Sequence, residues 1–188
     1  MRELQGAGCM LQGVFKEENM ISIIVAVSDD LGIGKDNELL WRIPEDLKRF
    51  RRLTLGNIII MGKKTWESLP KRPLPDRKNI VLTDIPGEEI EGSVTAYSIE
   101  DAFNKCDRGK EIFIIGGGSI YSQFLNLADR LYITHVHRNA TADVYFPVID
   151  PKIWKVIERE DFSDDEGITP PYTYTIYERK GCTEIFGH

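Results

Sequence analysis

Residues 57–68 read Asn57-Ile58-Ile59-Ile60-Met61-Gly62-Lys63-Lys64-Thr65-Trp66-Glu67-Ser68, an unbroken apolar run closed by glycine and followed by a helical stretch. An apolar run without alternation marks a strand buried on both faces, the habit of parallel sheets. The pattern recurs in Ile21–Ser28, through Ile23-Ile24-Val25-Ala26-Val27, and in Glu111–Ile115, ahead of Gly116-Gly117-Gly118. Working outward, further strands are expected at Asn79–Thr83, Ser93–Tyr97, Arg130–His137, Ile153–Glu160 and Tyr172–Arg179, eight in all. Four helices fit between them, at Pro44–Leu53, Lys63–Leu69, Ser98–Cys106 and Gly118–Asn126. Pro44 suits a first helical position, and Ser98-x-x-Asp101 approximates a capping box. Strands alternating with helices predict an α/β fold on a mostly parallel sheet. The last two strands alternate more clearly and read as an antiparallel pair at one edge.

The chain has 188 residues, 41% hydrophobic and 29% charged, the balance of one globular domain that needs no disulfide or metal staple. Lys and Arg number 24 against 30 Asp and Glu, so the net charge of −6 argues against nucleic acid and acidic lipid as partners. No apolar run approaches the roughly 18 residues of a membrane span. Cys9, Cys106 and Cys182 are far apart and form no C-x-x-C, which suits a reducing, cytoplasmic setting without a structural metal. Residues 1–19 are mixed and aperiodic and read as a disordered extension or an upstream start; 20–180 are expected to form the domain and 181–188 a loose tail.

In such sheets ligands gather where strands end. Met61-Gly62-Lys63-Lys64-Thr65 combines a helix start with two cations, a candidate phosphate contact. It is no P-loop: five residues separate Gly56 from Gly62, and Lys64 stands where Mg²⁺ needs a hydroxyl. Ile115-Gly116-Gly117-Gly118-Ser119 is a second such turn, yet Tyr121 replaces the third glycine of a dinucleotide fingerprint. Two glycine-bearing junctions suggest one dinucleotide spread across both, although a basic turn and a tight turn without ligand stay possible readings.

Within Trp41-Arg42-Ile43-Pro44-Glu45-Asp46-Leu47-Lys48-Arg49-Phe50, helical spacing puts Ile43, Asp46, Leu47 and Phe50 on one face, with Glu45, Lys48 and Arg49 elsewhere. A carboxylate on an apolar stripe must be paired or have its protonation tuned. It suits a polar heterocycle with adjacent N–H donors; the plainer alternative is an acid serving the helix dipole. Residues 29–40, between the first strand and this helix, contain Gly32 and Gly34 and read as a mobile lid or an ordinary connector. Arg72-Pro73-Leu74-Pro75-Asp76-Arg77 is a stiff basic loop able to hold a guanidinium against a carboxylate. His135 and His137 lack a further ligand nearby in sequence, so zinc is not expected, and no G-x-S-x-G is present.

Taken in order, these segments resemble dihydrofolate reductases of bacterial type, from about Met20 to Arg179. The likeness is carried by Asp36-Asn37, Trp41 to Phe50, Met61 to Ser68, Arg72-Pro73-Leu74-Pro75 with Arg77-Lys78-Asn79, Ile114 to Gly118, Leu131-Tyr132-Ile133-Thr134 and Asp143-x-x-Phe146-Pro147. It implies an eight-stranded mixed sheet with four helices, a cis peptide between Gly116 and Gly117, and NADPH-dependent reduction of dihydrofolate to tetrahydrofolate in one-carbon metabolism. By the same resemblance its ligands would be dihydrofolate and NADPH, and a monomer is expected.

Carried over by motif, Asp46 would bind the pterin, supported by Thr134, with Trp41 positioning a water. Ile24, Val25 and Ile115 would line the pterin end, while Leu47, Phe50, Leu69 and Leu74 would enclose the middle of folate and Arg77 its glutamate. Ala26, Gly62, Lys63, Lys64, Thr65, Leu82, Thr83, Gly116, Gly117, Gly118, Ser119, Ile120 and Tyr121 would hold the cofactor, and Ile33 and Leu39 belong to the closing loop. Three features depart from the family's pattern: Leu40 replaces a proline; Ser119 replaces an arginine near the cofactor's 2′-phosphate, with Asp84 after Thr83 on the same side, so a preference for NADPH rests on Lys63 and Lys64; and the N-terminal extension has no counterpart. Rival readings are a pyrimidine reductase of the same fold and a non-catalytic nucleotide-binding protein.

Overall fold

A computed structural model describes residues 19–163 and 169–181; the expected extension at 1–19, apart from residue 19, and the tail beyond residue 181 lie outside the described residues. The principal sheet uses β1 (Ile21–Ser28), β4 (Ile58–Gly62), β5 (Lys78–Leu82), β6 (Val94–Ala96), β7 (Ile112–Gly116), β8 (Arg130–Val136), β10 (Trp154–Phe162) and β11 (Tyr172–Arg179). Their order is β10-β11-β8-β1-β7-β4-β5-β6, and β11 alone among these eight runs against its neighbours. The helices are α1 (Pro44–Thr54), α2 (Lys63–Ser68), α3 (Ile99–Asn104) and α4 (Gly118–Phe124). The eight-stranded mixed α/β sheet with its antiparallel C-terminal edge and four helices is therefore what the sequence leads one to expect.

Side chains alternate strictly between two cores. Ile23, Ile60, Ile114 and Ile133 enter one, closed by Ala102, Tyr121 and Phe124. Ile24, Ile59, Phe113 and Tyr132 enter the other, where Phe50, Leu53 and Trp66 pack. Period-two alternation with apolar residues on both sides explains why these strands read as continuous hydrophobic runs. Helix α3 starts as its sequence requires: Asp101 N donates to Ser98 Oγ at 3.0 Å, and Tyr97 N donates to Asp101 Oδ2 at 3.0 Å.

The segment read as a lid or connector has more structure than its sequence suggested. β2 (Gly32–Lys35), β3 (Glu38–Leu39) and β9 (Val144–Tyr145) form a separate three-stranded sheet. Asp36 and Asn37 link β2 to β3 with φ of 52° and 63°. Both side chains tolerate that left-handed region, which a two-residue hairpin loop of this twist demands. Asp36 N donates to Asp143 Oδ2 at 2.9 Å, and Phe146 N donates to Leu31 O at 2.8 Å, so the hairpin is tied to residues 143–146.

Phe124, fully buried beneath the sheet, is edge-on to Phe103 at 5.8 Å. Truncating it in Phe124→Ala is expected to cost about 3–5 kcal/mol, read as a fall in the urea midpoint at unchanged m-value.

Candidate active site

Two neighbouring strand ends supply one half of the site. β4 and β7 are adjacent, with Met61 opposite Gly116, so the turns entering α2 and α4 lie side by side. The approach is close enough to require glycine. A Cβ on Gly62 would lie 3.0 Å from Ile120 Cγ1, and one on Gly118 only 2.6 Å from Val144 Cγ1. Gly116 has φ of +123°, and the peptide joining it to Gly117 is cis, as is Arg72-Pro73. Thr65 faces Gly117, whose added Cβ would stand 3.3 Å from Thr65 Oγ1. The cradle therefore brings Gly62, Thr65, Gly116, Gly117, Gly118 and Ile120 together. Lys64 and Ser119 are exposed at its rim, and Ser119 is engaged by Gln123. Tyr121 is buried and its hydroxyl donates to Ile24 O at 3.0 Å; burial, with Asp46 nearby, pushes that hydroxyl's pKa up.

The other half centres on Asp46, in the first turn of α1. Thr134 Oγ1 on β8 donates to Asp46 Oδ1 at 2.5 Å, tying the helix to the sheet. Burial raises the Asp46 pKa above the usual carboxylate range, opposed by the Thr134 hydrogen bond and by Arg49. Ile24, Phe50, Leu69, Leu74 and Ile115 line the same apolar face beside it. Val25 belongs to the opposite core, packed with Ile33 and Tyr121, so its side chain does not join these residues.

Two helix positions differ from the helical-wheel reading. Leu47 is 46% exposed, whereas Arg49 turns inward with its guanidinium 4.0 Å from the Tyr174 ring centroid. Asp46 therefore has a charged neighbour that sequence periodicity placed elsewhere; the aromatic face of Tyr174 recruits the cation. Glu45 and Lys48 do point outward, pairing at 2.7 Å across the exposed surface. Trp41 packs with Ile43, Tyr172 and Tyr174, and its indole Nε1 is buried without a hydrogen-bond partner among the described residues.

Arg77 closes the far end of α1. Its guanidinium donates to Thr54 Oγ1 and its Nε to Pro75 O, both at 3.0 Å, beside Phe50. Asn79 holds the proline loop from beneath, accepting from Leu74 N and donating to Leu74 O, each at 2.9 Å. Lys63 is not free: its Nζ donates to Glu88, which also accepts from Thr83 Oγ1 at 2.6 Å. No motif pointed to Glu88, because its role arises only when the loop after β5 folds back. Leu82 ends β5 beside this cluster, Ala26 is half-buried on β1, Ile33 is buried on β2 and Leu39 is exposed on β3.

A family model described as dihydrofolate reductase matches residues 20–179. The chain belongs to the dihydrofolate reductase family. A dihydrofolate reductase of Bacillus subtilis is 41% identical over 168 residues, covering 89% of this chain and 99% of the relative. One from Neisseria meningitidis is 44% identical over 141 residues, covering 75% of this chain and 87% of that one. Among solved structures, dihydrofolate reductase from Enterococcus faecalis complexed with NADP(H) and RAB-propyl superposes with a TM-score of 0.78 at 32% identity, covering 86% of this chain and 97% of that chain. Among the described residues no cluster of three or more His, Cys, Asp or Glu is arranged for a metal, and no helix is long and apolar enough to cross a membrane.

The raised Asp46 pKa carries a sign. A carboxyl that is harder to ionise when folded favours the native state in acid, and that contribution disappears as pH rises through the folded pKa. Asp46→Asn is therefore expected to raise the thermal midpoint at pH 7, with the gain vanishing near pH 3, as followed by calorimetry across pH.

Proposed function

We propose that the protein reduces 7,8-dihydrofolate to 5,6,7,8-tetrahydrofolate with NADPH, feeding one-carbon transfer and hence thymidylate and purine synthesis, and that residues 20–180 are the working unit. The observation that carries this reading is Asp46, a carboxylate tied to Thr134 on an apolar wall next to the glycine cradle. A bound NADPH supplies a hydride, received at pterin C6. The cradle fits such a cofactor, because Gly62, Gly117 and Gly118 leave backbone groups approachable where any Cβ would meet a neighbour.

The residues of the chain do the rest. Thr134 fixes one oxygen of Asp46, leaving carboxylate lone pairs for the amino and ring N–H groups of the pterin. Poor solvation keeps the carboxyl basic and a proton within reach of N5, whose protonation makes C6 electrophilic. The buried Trp41 Nε1 gives an ordered water a donor along that route. Ile24, Ile115 and Phe50 exclude bulk water, Leu47, Leu69 and Leu74 take the benzoyl part, and Arg77 grips the glutamate α-carboxylate. The hairpin Gly32–Leu39, held by Asp143, closes over the nicotinamide end with Ile33 behind it. Retention of Asp46, Trp41 and the Arg77 loop together favours this substrate over a phosphorylated pyrimidine.

Asp46→Asn is expected to lower turnover by roughly 10²–10⁴-fold at neutral pH while the NADPH dissociation constant stays within about twofold; near-normal turnover in a steady-state assay refutes the assignment. Arg77→Leu is expected to raise the KM for dihydrofolate by about tenfold or more but to leave dihydropteroate, which lacks glutamate, nearly unaffected; equal losses on both refute the clamp.

A further inference from the structure

We infer that Glu88 is a specificity-determining residue for the cofactor's 2′ position, competing with a 2′-phosphate for Lys63 and Thr83 and thereby letting the enzyme accept NADH as well as NADPH. This deepens the cofactor reading above and rests on it.

The topology places the relevant end of the cofactor. Hydride transfer requires the nicotinamide near Asp46, which α1 holds over β8 and β1. The cradle lies one and two strands further out, on β7 and β4. An extended dinucleotide continuing along the carboxyl edge reaches the end of β5, three strand spacings or about 14 Å from β1. The adenosine half therefore lies by Lys63, Thr83 and Glu88, and its 2′ substituent is all that distinguishes NADPH from NADH.

The cation there is already engaged. Lys63 Nζ donates to one carboxylate oxygen of Glu88 and Thr83 Oγ1 donates to the other at 2.6 Å. Glu88 is not a casual surface acid. Thr83 is buried, its hydroxyl accepts from Ile85 N at 3.2 Å, Gly87 turns the loop with φ of +74°, and Tyr97 OH donates to Glu88 O at 2.9 Å. Those four features hold the carboxylate in place between the two strand ends. Glu67 and Asp84 add further negative charge around Lys63, while Lys64 and Ser119 stand exposed. A dianionic 2′-phosphate must displace Glu88 from Lys63 and then sit beside it, which is unfavourable. A ribose 2′-hydroxyl meets no such repulsion and donates to the carboxylate, the way acids commonly recognise NADH.

Calorimetric titration with adenosine 2′,5′-bisphosphate and with adenosine 5′-monophosphate tests this without turnover, alongside kcat/KM for NADPH and NADH. Glu88→Gln is expected to tighten the bisphosphate about tenfold, leave the monophosphate within about twofold, and raise the NADPH-to-NADH ratio of kcat/KM by a similar factor. Glu88→Thr, which shortens the side chain as well, is expected to move both readouts the same way. Unchanged or weakened bisphosphate binding in both variants overturns the proposal, since Glu88 would then be inert or would orient Lys63 for phosphate. Lys63→Met separates the two layers of the argument. If it weakens the bisphosphate but not the monophosphate, the cofactor reading stands whatever Glu88 does. If it changes neither, the placement of the adenosine end fails and the proposal falls with it.

Discussion

Strands buried on both faces leave no room for a polar ligand along their length. In this protein Ile58, Ile59, Ile60 and Met61 are all essentially inaccessible, as are Ile112, Phe113 and Ile114 next to them. Polar chemistry is thus driven to the carboxyl edge, where chain direction changes and backbone groups lose their sheet partners. Every feature of the candidate site follows from that exclusion. Gly62 and Gly116 terminate adjacent strands, Thr83 follows a third, and Thr134 lies near the end of a fourth.

Placing a carboxylate beside that edge has an electrostatic consequence. Asp46 loses water to the apolar wall of α1 and the sheet, and one hydroxyl and one guanidinium only partly compensate. Desolvation thus leaves this carboxyl harder to ionise than one in water, the kind of perturbation that marks a candidate functional position. Arg49 moderates the effect from its seat on Tyr174, so the helix contributes both the acid and its counterweight.

The small sheet of β2, β3 and β9 shows how a peripheral element can be ordered without being welded down. Its strands are only two to four residues long, and few hydrogen bonds fasten it, notably those from Asp36 N to Asp143 and from Phe146 N to Leu31 O. Short strands of this kind, exposed along β3 and β9 and buried only at Gly32 and Ile33 of β2, open at low free energy compared with the central sheet. Val144, which Gly118 leaves just enough room to pass, connects the small sheet to the glycine cradle.

The amino-acid sequence by itself determined the layered α/β architecture, because apolar runs such as Ile58–Met61 and Ile112–Ile115 have only one comfortable environment. It also carried Asp46, Thr134, the two glycine turns and the proline loop, since each lies within a compact, ordered motif. What it did not determine are relations between segments distant in the chain. Residues 29–40 read only as a lid or connector, because the strand at Val144–Tyr145 that pairs with Gly32–Lys35 lies more than a hundred positions away and meets it only after folding. Arg49 reads as solvent-facing on a helical wheel, and the ring of Tyr174, 125 positions later in the sequence, draws it inward. Glu88 sits in a loop without pattern and meets Lys63 because β4 and β5 are neighbours. Local spacing encodes periodicity and turn chemistry, whereas a charge finds its partner across the sheet, and strand order alone sets that distance.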